Sequence, residues 1–137
     1  MTTTTDTERL LLDSGVWIGA RQPASPYYEA CRALVADPAY PVAVLDLTLH
    51  EVANVLGARD GRPEEAVDMC RLISGRCGDA VVAADPMLMR SALAISHEHG
   101  LTGYDASYVA AARREGWTLV SLDIKDLVSK EIGRAHV

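Results

Sequence analysis

Short apolar runs set between helix-period segments constrain this chain more than any other feature. Runs of four or five residues fall at 9–12, 42–45, 80–83 and 118–122, and a weaker one lies at 132–137. Helical periodicity marks 26–36, 48–59, 63–76, 86–99 and 104–115 between them. Strands alternating with helices of this length imply crossover connections, and crossovers make a mostly parallel sheet. Pro26, Pro63 and Pro86 stand near helix starts, where a missing N–H costs nothing. Gly100 and Gly116 follow final helical turns, as C-terminal caps do. The apolar composition agrees, because with no Phe and 5% aromatics the core falls to Val, Leu and Ala. Such small side chains suit buried parallel strands covered by Ala-rich helices.

A chain of 137 residues is one ordinary domain. Residues 1–8 read as a flexible polar arm and 9–137 as the domain. The N-terminal stretch lacks the basic region of a signal peptide, and no run approaches the roughly 18 apolar residues of a membrane span. Three cysteines, Cys31, Cys70 and Cys77, form no framework and fit reduced thiols in a cytoplasmic protein. Cys70 and Cys77 with His97 and His99 lack the spacing of a zinc site, so buried thiols are the expectation. The net charge of −6 argues against a nucleic-acid binder, since phosphate contacts usually come with a basic surface. The acidic residues themselves point elsewhere.

Asp13 and Asp123 each follow a predicted strand directly. In a parallel sheet both emerge at the carboxyl edge, where ligands bind. Either could instead cap the next helix. Glu51 falls within the apolar arc formed by Leu47, Val55, Val52, Leu56, Leu49 and Ala53 when the helix is drawn in steps of about 100°. A carboxylate so directed is paired, protonated or bound to a cation. The alternative is a capping box, since Thr48 and Glu51 have its spacing. Asp105 heads the stripe of Tyr108, Val109 and Ala112, although a first-turn acid also complements a helix dipole. Four acids directed at one end of one sheet repel one another unless a hard divalent cation neutralises them. All-oxygen donors favour magnesium or manganese over zinc.

The segments LLLDSGVWIGA, LTLHEVANVL and LTGYDASYVAAARREGWTLVSLD resemble, in order and separation, those of the PIN domain family, and specifically its VapC-type toxin ribonucleases. The resemblance covers residues 9–128, and its third segment is the most specific. It implies a three-layer sandwich with a mostly parallel sheet of four or five strands. It also implies that Asp13, Glu51, Asp105 and Asp123 bind Mg2+ or Mn2+, with Ser121 organising the bound water or phosphate. The reaction implied is hydrolysis of RNA phosphodiesters by a metal-activated water. Lys125 and Arg21 are candidate RNA contacts, whereas Arg113 and Arg114 come at the helix end remote from Asp105. The expected partners are RNA, a small antitoxin and a second copy of the chain, with no membrane. Trp17, Tyr27 and Tyr28 serve either such an interface or the core. Two other readings stand beside this one. A phosphoacceptor receiver would use Asp85 but wants paired acids after the first strand, and a catalytically silent PIN scaffold would not need all four acids. An Asp-x-Asp phosphatase fails, because Ser14 and Gly15 follow Asp13.

Overall fold

The computed structural model describes residues 8–123 and the backbone of 135–136. Five strands form one sheet: β1 (Leu10–Leu12), β2 (Val42–Leu45), β3 (Val81–Val82), β4 (Thr118–Val120) and β5 (Ala135–His136). Their order is β3-β2-β1-β4-β5, and every neighbouring pair is parallel. Each strand lies inside its predicted run and most are shorter. The helices are α1 (Ser14–Gly19), α2 (Tyr28–Ala36), α3 (Leu47–Val52), α4 (Pro63–Cys77), α5 (Pro86–His99) and α6 (Gly103–Glu115).

Successive residues of each strand face opposite layers. Leu11, Ala43, Leu45 and Leu119 pack with α5 and α6 through Leu88, Ala92, Ile95 and Val109. Leu12, Val42, Val44 and Val120 pack on the other side with Val16, Trp17, Val52, Met69 and Ile73. The result is an α/β three-layer sandwich with a core on each face of the sheet. Leu11 and Leu12 are both fully buried, and each contributes about 1.5–3 kcal/mol by leaving water.

Local signals set most boundaries. Pro63 and Pro86 open α4 and α5, and Gly100 and Gly116 close α5 and α6 in the left-handed conformation. The helix predicted at 48–59 is instead α3 followed by a π-helix over Ala53–Arg59. The short α1 has no helical period in its sequence, because Val16, Trp17 and Ile18 are consecutive and all buried. It forms because Asp13 caps it and both sheet and helices cover it. Trp17 is completely buried, which assigns it to the core rather than to an interface. On the side of α2, the Arg76 guanidinium of α4 donates to the carbonyls of Leu34, Val35, Asp37 and Tyr40, closing the end of that helix. Glu8, placed in the predicted arm, accepts a hydrogen bond from the Thr118 hydroxyl at 2.8 Å. No helix among the described residues is long and apolar enough to cross a membrane.

Candidate active site

The strand order reverses direction between β1 and β4, and this is where a parallel sheet opens a crevice at its carboxyl edge. Asp13 leaves β1 here, its backbone N–H still donating to the Val120 carbonyl of β4 at 3.2 Å. Its carboxylate caps α1 by accepting from the Val16 N–H at 3.2 Å, so capping and site placement coincide in one side chain. Ser121, fully buried just past β4, also hydrogen-bonds the Asp13 carboxylate. The same Ser121 hydroxyl accepts the Asp123 N–H at 2.9 Å. Ser121 thus ties the ends of the two central strands together and orients Asp13.

Only 8% of Asp13 is exposed. Burial pushes its carboxyl up to about 6; the Ser121 and Val16 hydrogen bonds oppose this, while the charges of Glu51 and Asp105 add to it. Glu51 and Asp105 are therefore close enough to disfavour the ionisation of Asp13. Gly15 keeps the approach to Asp13 clear, since a Cβ there would stand 3.3 Å from Oδ1.

Glu51 is half-buried and accepts a 2.5 Å hydrogen bond from the Tyr108 hydroxyl of α6. That hydroxyl in turn meets the Thr48 hydroxyl at 2.7 Å, and Thr48 is completely buried. The capping box between Thr48 and Glu51 is not formed. Asp46 takes the N-cap position of α3, one turn is already under way at Thr48, and its hydroxyl is committed to Tyr108. Burial and the neighbouring Glu51 charge hold the Tyr108 phenol protonated far beyond its ordinary range, as a fixed donor. Sequence reading placed Tyr108 in an apolar stripe and missed this role. The available signal was a hydroxyl-bearing ring in a chain that contains no Phe.

Asp105 is half-buried in the first turn of α6, its N–H capped by the Thr102 hydroxyl at 3.1 Å. The helix behind it is buried from Ala106 through Ala112, more completely than a single stripe. Asp123 is likewise half-buried. Among the described residues, no three His, Cys, Asp or Glu side chains stand as a formed metal cage. The donors nevertheless suit a hard divalent cation in kind: all are carboxylate oxygens, and a bound cation would compensate the Asp13 charge that burial, with Glu51 and Asp105 adding to it, disfavours.

The other described residues singled out in the sequence stand in different surroundings. Arg21 lines a hollow with Tyr28, Arg32 and Glu65, and Lys125 falls outside the described residues. Arg114 pairs with Asp85 at 3.6 Å and Glu115 at 3.3 Å. Cys70 and Cys77 sit on α4 while His97 and His99 sit on α5 across the sheet, so no zinc site forms from them. All three cysteines are free thiols. A larger apolar groove of about 740 Å³ lies between the π-helix and α4, and none of the four acids lines it.

A sheet of this order with acids gathered at its switch point defines a class, and the family model for the PIN domain matches residues 10–129. The chain belongs to the PIN domain family. Its relatives there are of the VapC type. It is 33% identical over 119 residues to ribonuclease VapC3 of Pyrobaculum aerophilum, covering 84% of this chain and 89% of the relative. The crystal structure of PAE2754, also from Pyrobaculum aerophilum, superposes with a TM-score of 0.68 at 26% identity, covering 95% of this chain and 84% of that one. A toxin–antitoxin complex from Klebsiella pneumoniae gives 0.67 at 19% identity, covering 93% and 96%.

Proposed function

We propose that this chain is a divalent-metal-dependent endoribonuclease, the toxin of a toxin–antitoxin pair. The observation that carries the reading is the buried Asp13, raised to about 6 in the company of Glu51 and Asp105 at the switch point of the sheet. Its hydrogen bonds to Val16 and Ser121 do not offset its burial, and the neighbouring charges are acids rather than cations. The ribonuclease relative supports the same chemistry.

Asp13 and Asp105 would hold Mg2+ or Mn2+ directly, with Glu51 and Asp123 contributing directly or through water. Such a cation stabilises charge on the phosphoryl oxygens and eases deprotonation of water near neutral pH. The protein supplies orientation around it. Ser121 fixes the Asp13 carboxylate, and Tyr108 holds Glu51 through one carboxylate oxygen, leaving the other uncommitted by that bond. A carboxylate not needed by the cation would be available to accept a proton from water. Arg21 and Lys125 are assigned to the RNA backbone.

The partners proposed are RNA, a small antitoxin whose basic side chain would neutralise the acidic crevice, and a second copy of the chain, in the cytoplasm. The toxin–antitoxin complex among the structural neighbours supports the second of these. Cleavage of single-stranded RNA with Mg2+ or Mn2+, its loss on chelation, and its loss in Asp105→Asn with an unchanged circular-dichroism spectrum are the expected results. Full cleavage in EDTA or by Asp105→Asn would overturn the reading.

A further inference from the structure

We infer that Tyr104 is a stacking platform for a nucleobase of the RNA whose phosphate lies at the carboxylates, an assignment that rests on the ribonuclease reading. Tyr104 immediately precedes Asp105 in the first turn of α6 and is 64% exposed. Its hydroxyl makes no hydrogen bond among the described residues. The ring walls a cavity of about 250 Å³ together with Leu47, Met89 and Leu93. Leu47 begins α3, the helix that carries Thr48 and Glu51. The starts of α3 and α6, the helices that carry Glu51 and Asp105, therefore also bound this cavity.

Its chemistry is selective for a flat apolar body. The one other hydroxyl on its wall, that of Ser107, is spent on the Gly103 carbonyl at 2.7 Å. A lining whose one uncommitted hydroxyl is that of Tyr104 itself has little with which to read base edges, but the aromatic face binds any base by stacking. That suits a nuclease in which Asp105, one of the proposed metal-holding acids, stands one residue away. The neighbouring exposed apolar side chains are Met87 and Leu93.

The test compares wild type with Tyr104→Ala, Tyr104→Phe and Tyr104→Trp on single-stranded oligo(A) and oligo(U), measuring KM, kcat and sedimentation. Loss of one stacked base should raise KM by about 5- to 100-fold in Tyr104→Ala while kcat holds, with Phe and Trp restoring it. Oligo(A), whose bases offer the larger face, should suffer the greater loss. Unchanged KM in Tyr104→Ala, with wild-type cleavage intact, overturns the platform alone. A KM rise that tracks conversion of dimer to monomer also overturns it and gives this face to a second copy. Wild type that neither binds nor cleaves either RNA overturns the ribonuclease reading together with it.

Discussion

Replacing Asp13 by Asn should make the protein more stable while destroying its activity. The carboxyl lies 8% exposed and is raised from 3.8 to about 6, so the folded state holds its proton more tightly than the unfolded chain does. Its contribution to stability is then fully present below about pH 4 and is lost as pH rises through about 6. A rise of that size corresponds to about 3 kcal/mol of destabilisation at about pH 8 in the absence of metal. Asn removes the buried charge and keeps a carbonyl oxygen for the Val16 N–H, so most of the α1 cap survives. Allowing for an imperfect fit to Ser121, the expected gain at pH 8 is about 1–3 kcal/mol, shrinking toward zero at pH 4. Urea unfolding of both proteins in EDTA across this range measures it. Adding Mg2+ should then raise the wild-type midpoint and leave that of the variant in place, since only the wild type gains a bound cation. A variant less stable than wild type at pH 8, or a gap that does not close toward pH 4, would refute the reasoning that uncompensated charge dominates this position.

Tyr108→Phe strips Thr48 of its partner and frees Glu51, and it should cost about 1–3 kcal/mol in urea unfolding together with a fall in kcat. Glu51→Gln separates site from cap: cleavage should be lost while stability changes by less than about 1 kcal/mol, because the capping box it would serve is not formed. Gly15→Ala should crowd Asp13 Oδ1, lowering Mg2+-dependent activity without lowering the unfolding midpoint. Arg76→Ala, far from the acids, should cost about 2–3 kcal/mol by opening the end of α2 and should leave cleavage per folded molecule unchanged.

The sheet and the helix ends were legible wherever the cause is local. Pro63, Pro86, Gly100 and Gly116 act on their own backbone, and β1 to β4 announce themselves as apolar runs. The short α1 was not legible, because its cap is local but its burial beneath α2 and α3 is not. Glu51 shows the same division. Its azimuth on α3 placed it with the apolar residues, but its partner Tyr108 lies 57 residues away. Local pattern alone therefore allowed a capping box with Thr48, and the tertiary hydrogen bond won. The four acids were singled out by direction and Ser121 by the family resemblance, whereas the bonds by which Ser121 and Tyr108 hold Asp13 and Glu51 are contacts between distant elements.

The strand order has a consequence for how such a chain is made. β1 emerges from the ribosome early, yet its neighbour on the Asp123 side is β4, synthesised over a hundred residues later. Until β4 inserts, the edge of β1 stays open, and neither Ser121 nor Asp123 exists to complete the crevice. Closing a pairing so distant in sequence is intrinsically slow. A partly translated chain thus carries Asp13 and Glu51 but no assembled crevice, so the proposed activity should appear only once the final strands are released.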